Sequence, residues 1–262
     1  MILNILKRAR IRYILHRHAI AHGLWLEIVD HLSLLQGLTA VEKAHLRELT
    51  TLFLYEKNFI GAQGFQLTDY MRVGIAVQTC LCILEIGLSC LSGWTDVIVY
   101  RGPFRVSRDT ADAVGVVHHQ DHVLSGESWS RGPIVLSWAD VEQDMQQSPR
   151  NVVIHEIAHK LDALNGTTNG YPPLHYGMSV SEWTEVMSQA YEALNHSLEY
   201  QYNSGLDPYA AHSPAEFFAV VSEVFFCHPE RLDSQFPEVY RQLQLYYRQD
   251  PKRRLHAASR MI

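Results

Sequence analysis

The stretch VVIHEIAHKLD, residues 152–162, sets the terms on which this chain can fold. Its apolar residues recur at helical spacing, so it has to pack against a core, yet two histidines and a glutamate stand in its middle. A polar group buried without a partner costs roughly 2–7 kcal/mol, so these three either surround something or are satisfied one by one. His155, Glu156 and His159 fit H-E-x-x-H, a pattern that about 0.05 chance matches would produce at this length and composition. On an α-helix the two histidines lie one turn apart on one face, where two imidazole nitrogens can meet one Zn²⁺ at about 2.0–2.1 Å. Glu156 lies beside that face, within reach of a water at the metal without being a ligand. Ser148 and Pro149 place the start of the helix just upstream.

A catalytic zinc needs a third protein ligand and an open position. Asp162 follows His159 by three residues and shares its face, so it approaches from the wrong side for a tetrahedron and reads as a supporting carboxylate. Position 165 is Asn165, so the longer H-E-x-x-H-x-x-G-x-x-H pattern is absent. Further on, SPAEFFAVVSEVFF carries Glu216 and Glu223 seven residues apart on an otherwise apolar helix. Glu216 has two readings at this point. It is the third ligand, or it completes a capping box opened by Ser213, with Pro214 at the first helical position. The capping reading leaves Glu223 without a partner.

Around this segment, 262 residues at 47% hydrophobic content suffice for one large core or two small ones. A formal net charge of -6 argues against a general nucleic-acid binder. Cys80, Cys82, Cys90 and Cys227 lack zinc-finger or thioredoxin spacing and read as small buried hydrophobes in a reducing compartment. The N-terminus has no apolar h-region and does not read as a secretory signal. Residues 73–91 are the most membrane-like, but they include Gln78 and Glu85, and a carboxylate in a lipid span costs about 2.5–3.5 kcal/mol. A core helix and a cytoplasmic protein are expected.

The first sixty residues read as helical, with Thr39 and Glu42 forming a capping box. Five basic and no acidic residues lie between Lys7 and Arg17, a solvated helix face or, alternatively, a partner- or membrane-facing arm. From Gly93 the texture turns to strands, WTDVIVY and GPIVLSW. The second is either a sheet edge able to hold substrate backbone or an internal strand. Between them, VSRDTADAVGVVHHQDHVLSGESWSRG reads as loops, with or without another short strand, and His118, His119 and His122 in HHQDH read as a solvated or substrate-lining loop rather than a second metal site. Helices follow in SEWTEVMSQAYEALNHSL, PAEFFAVVSEVFF and FPEVYRQLQLYYRQDP, and KRRLHAASRMI reads as a mobile tail. The expected class is α+β, mainly helical with a small mixed sheet. A single domain is expected over residues 1–262, with a helical part at 1–92 and, at 93–262, a core holding the sheet, the active-site helix and the glutamate helix.

Taken together, HEIAHKLD, PYAAHSPAEFFAVVSEVFF, GESWSRGPIVLSW and YRQDP closely resemble the bacterial Mlc titration factor A family over nearly the whole chain. Members of that family are zinc metallopeptidases related in their catalytic core to anthrax lethal factor. The resemblance implies a gluzincin-type core and one Zn²⁺ per chain held by His155, His159 and Glu216. It also implies Glu156 as the base and Tyr209 as the residue that stabilises the oxyanion. Nothing in its own surroundings separates Tyr209 from the other tyrosines, thirteen in all. Two departures from thermolysin-like gluzincins stand out: Glu216 comes 61 positions after His155, and the position four beyond it is apolar Val220. Which group orients each histidine is therefore open between Asp162 and Glu223. The resemblance further implies a peptide substrate, possible aminopeptidase-like action, and binding of the glucose-responsive repressor Mlc. The competing reading is a non-catalytic, repressor-sequestering protein with a structural zinc; an intact Glu156 and Tyr209 favour retained chemistry. Neither direct nucleic-acid binding nor a membrane partner is expected.

Overall fold

Side-chain caps decide where most of the long helices begin. The computed structural model describes residues 2–111, 117–124, 126–128, 132–146, 150–202 and 205–259. It opens with α1 (Ile2–Arg17), α2 (His22–His31) and α3 (Ala40–Glu56). Thr39 caps α3 as expected, its hydroxyl accepting from Glu42 N while the Glu42 carboxylate accepts from Thr39 N. Strand β1 (Asn58–Gly61) and α4 (Asp69–Cys82, capped by Thr68) follow, so the stretch read as helical ends in a strand. The chain continues through β2 (Asp96–Tyr100), β3 (Phe104–Ala111), β4 (Val117–Leu124), β5 (Gly126–Ser128) and β6 (Ile134–Ser137). It then runs helically through α5 (Trp138–Met145), α6 (Val152–Asp162), α7 (Val180–Glu199) and α8 (Pro214–Cys227), and ends with α9 (Pro229–Gln235), α10 (Pro237–Tyr247) and α11 (Pro251–Ser259).

The class is α+β, mainly helical with a small mixed sheet. The main sheet has the order β1-β2-β6-β5, parallel from β1 to β6 and antiparallel at β5. Strand β6, the GPIVLSW segment, is thus internal: Val135 pairs with Ile98 on one side and Glu127 on the other. Ile134 and Leu136, two residues apart on one face, are buried, while on the other face Ser137 is buried and Val135 half-buried. The edge on that side is β5, which packs beside α6.

Two further expectations need correction. HHQDH is not a loop: its backbone is β4, paired antiparallel with β3 so that His122 faces Val106 and His118 faces Thr110. The side chains of His118, His119 and His122 lie outside the described residues. Residues 260–262 of the expected mobile tail lie outside the described residues, and 252–259 belong instead to α11. Asp250 caps it by accepting from Arg253 N, and Arg254 Nη2 donates to Leu34 O at 2.8 Å. Gly37, at φ +75°, lets this helix approach, since a Cβ there would sit 2.2 Å from Arg254 O. Helix α6 starts close to the expected place, at its N-cap Asn151, whose side chain accepts from Ile154 N at 3.0 Å. Ser148 and Pro149 lie outside the described residues.

The segment 73–91 folds as the core helix α4, buried from Val73 to Cys82, then turns, leaving Glu85 exposed. No helix of the described residues is long and apolar enough to cross a membrane. Cys80 and Cys82 are buried, Cys90 and Cys227 half-buried, and all four are free thiols. One hydrophobic cluster joins residues on both sides of residue 93, from Ile20 to Tyr247, and α6 lies inside it between α4 and α8.

Candidate metal centre

Helix α6 is held in the interior by Val153, Ile154, Ile157, Ala158 and Leu161, all buried, and α8 by Phe217, Phe218, Val221 and Phe225. Where the two pack, His155 and His159 on α6 meet Glu216 in the first turn of α8. The Nε2 atoms of the histidines are 3.1 Å apart, and Glu216 Oε2 lies 3.1 Å from His155 Nε2 and 3.3 Å from His159 Nε2. A tetrahedron with metal–ligand bonds of about 2.0–2.1 Å has edges of about 3.3–3.4 Å. The three atoms therefore form a triangle of nearly the size that one Zn²⁺ requires, and two imidazole nitrogens with a carboxylate oxygen suit that ion. Among the described residues this is the group of His, Cys, Asp and Glu side chains able to hold a metal.

The tautomer of His155 follows from its other nitrogen. Glu223 Oε1 lies 2.6 Å from His155 Nδ1; a carboxylate only accepts, so Nδ1 carries the hydrogen and the neutral ring turns its Nε2 lone pair to the centre. The second Glu223 oxygen accepts from Asn151 N at 2.7 Å. Asn151 in turn donates to Gln78 Oε1 at 2.6 Å, and Gln78 donates to Gly74 O at 3.1 Å. A buried polar chain thus ties α4, the start of α6 and α8 to one ligand. It answers what Glu223 is for. Asp162, the other candidate, accepts from Gly170 N at 2.7 Å and Tyr171 N at 2.8 Å, fixing the loop after α6.

Both readings of Glu216 hold in part. Ser213 Oγ accepts from Glu216 N at 3.2 Å with Pro214 at the first helical position, while the Glu216 carboxylate meets the histidines. Three acceptors facing one another call for a cation, and without a metal a proton takes that place. Burial lowers the His155 pKa, but its bonds to Glu216 and Glu223 outweigh this and hold it well above the usual value. Burial likewise raises Glu216, and the bonds from His155 and His159 overcome that, leaving it far below the carboxylate range.

Glu156 is 3% exposed and its Oε2 has no hydrogen-bond partner among the described residues. Burial pushes its pKa up to about 7. Tyr209 sits in a short 3₁₀ turn, Pro208–Ala211, just before α8, with its ring centroid 6.1 Å from that of His155. It is 48% exposed. Asp207 accepts from Tyr209 N at 3.0 Å and pairs with Arg150 at 3.0 Å, so the turn is tied to the residue preceding Asn151.

Sequence reasoning passed over Lys160, which is buried directly after His159. Its Nζ donates to Gly132 O at 2.7 Å and lies 5.3 Å from the Trp94 ring centre, anchoring the approach to β6 on α6. It also passed over Asn151 and Gln78. An asparagine immediately before an apolar helical run is the available signal for the first; a glutamine inside an otherwise buried helix is the signal for the second.

Comparison with known proteins agrees with this geometry. Residues 5–248 match the family described as "Glucose-regulated metallo-peptidase M90". Mlc titration factor A of Escherichia coli (strain ATCC 8739) is 39% identical over 237 residues, covering 90% of this chain and 89% of the relative. The protein of that name from Shigella sonnei (strain Ss046) has the same identity and coverage, and that from Shigella flexneri serotype 5b is 38% identical over the same span. The chain belongs to the glucose-regulated metallo-peptidase M90 family.

Proposed function

We propose that the protein is a zinc-dependent peptidase of gluzincin type, with His155, His159 and Glu216 holding one Zn²⁺ per chain. The observation that carries this reading is the 3.1–3.3 Å triangle of acceptor atoms, with Glu156 Oε2, which has no partner among the described residues, beside it. A zinc ion held by these residues would supply Lewis-acid polarisation of a peptide carbonyl and would lower the pKa of a water towards about 7. Glu156 takes a proton from the attacking water on its free oxygen and delivers one to the leaving amine. Tyr209 donates to the oxygen that gains charge, a contact stronger in the transition state than in the ground state. Glu223 keeps His155 in the tautomer that points its lone pair inward. The edge strand β5, beside α6, receives the substrate backbone by strand addition.

Short peptides entered from the amino terminus are the proposed substrates, and the cytoplasm the proposed compartment. Residues 1–262 act as one unit in this reading, supported by the hydrophobic cluster from Ile20 to Tyr247. A second role, binding a repressor of the Mlc class, is supported by relatives named Mlc titration factor A that match 90% of this chain. The test is hydrolysis of a fluorogenic aminoacyl and peptide panel by the zinc-loaded wild type and Glu156→Gln. Turnover in the wild type alone upholds the peptidase. Equal turnover in both removes Glu156 from its role, and none in either favours the non-catalytic repressor binder.

A further inference from the structure

Helix α1 has two apolar faces, not one. Ile14 is buried, with Ile11 and Leu15 half-buried, on the side that packs against α3. At 3.6 residues per turn, Ile5, Leu6, Ala9 and Tyr13 fall together on another side, within about 60° of Ala9. That strip faces solvent: Ile5 is 59%, Leu6 63% and Tyr13 58% exposed. Arg8 and Arg12 border it on one flank, Arg10 and Arg17 on the other, all four exposed. None of these arginines, nor Lys7, has an ion-pair or hydrogen-bond partner among the described residues. A merely solvated helix face has no use for the apolar strip between them.

We propose that this face of α1 docks on an anionic lipid surface. The apolar strip settles into the headgroup boundary, and the arginines on both flanks reach phosphates to either side. The charge distribution selects this face for the contact: the chain carries -6 overall and +5 between Lys7 and Arg17, hence -11 elsewhere, so its other surfaces are repelled from such a membrane. A nucleic acid would match the arginines but not the strip. The contact lies on the surface and does not span it, and it revises the expectation of no membrane partner.

The test is co-sedimentation of the full chain with vesicles of phosphatidylglycerol and phosphatidylcholine, against phosphatidylcholine alone. Arg8→Glu combined with Arg12→Glu, and Leu6→Ser, serve as variants; all three positions are exposed, so the melting temperature is expected to stay unchanged. The wild type is expected on the anionic vesicles, with affinity falling about tenfold or more between about 0.05 and about 0.5 M salt. Charge reversal is expected to weaken it about tenfold or more, and Leu6→Ser to weaken it even at low salt. Failure to bind anionic vesicles, or equal binding by all variants, overturns the proposal. So does α1-dependent binding to polyglutamate with none to vesicles, which would assign the face to an acidic protein.

Discussion

Glu223 is the group whose replacement separates a built metal centre from a chance convergence of side chains. Glutamine keeps its shape but has one acceptor oxygen where the carboxylate has two, and both are in use: His155 Nδ1 at 2.6 Å and Asn151 N at 2.7 Å. In Glu223→Gln the amide NH₂ must face one of these donors. If it faces Asn151 N, a buried backbone donor is left unpaired, at a cost of about 1–3 kcal/mol in stability. If it faces His155, the ring moves its hydrogen to Nε2 to avoid two opposed donors, and the lone pair aimed at Glu216 and His159 is lost. Loss of such an orienting partner lowers metal affinity about 10–100-fold. The assay is competition for zinc against a chelator of known affinity, alongside denaturant unfolding of the metal-free protein. The loss has to appear in one measurement or be divided between the two. Wild-type values in both would refute the tautomer assignment and the role given to Glu223.

Other predictions test the remaining parts. Tyr209→Phe is expected to lower kcat about 10²–10³-fold with little change in KM, measured by steady-state hydrolysis; equal loss in binding would make Tyr209 a substrate contact instead. Asp162→Ala strips the acceptor from Gly170 N and Tyr171 N, and is expected to cost about 1.5–3 kcal/mol per bond in denaturant unfolding, with the loop after α6 opening first in hydrogen exchange. Part of the pH dependence of the metal-free protein, beside that of His155 and Glu216, follows from Glu156, whose folded pKa of about 7 lies above the ordinary 4.5. The folded state then binds more protons than the unfolded one between these values, so this contribution is fully present below 4.5 and lost as pH rises through 7. It amounts to at most about 3 kcal/mol. Glu156→Gln is expected to flatten that slope in melting curves, and an unchanged slope would contradict the burial argument.

The parts of the site that sequence made legible are those governed by local periodicity. His155 and His159 share a helix face because they are four residues apart, and the Thr39 box is complete within four residues. Glu216 was half legible: Ser213 and Pro214 announce the start of a helix, but not that the carboxylate turns towards α6. Glu223 was legible only as one of two candidates beside Asp162, because its partner lies 68 residues away and is reached only through the packing of α8 on α6. The strand β4 was legible only as room for one more short strand in its stretch, because its polar run carries no alternation and acquires its pairing from β3. The docking of α11 was missed because Arg254 finds its acceptor, Leu34 O, 220 residues away. Internal placement of β6 likewise depends on β5 supplying the outer partner, which a short apolar run does not announce.

The central claim is that His155, His159 and Glu216 hold a single zinc. Zinc-edge X-ray absorption with metal counting, on the wild type and His159→Ala, tests it most directly. The account predicts one zinc per chain, two imidazole nitrogens at about 2.0–2.1 Å with the remaining ligands oxygen, no sulfur, and loss of the metal in the variant. Sulfur ligation, or an unchanged zinc content in His159→Ala, would contradict it.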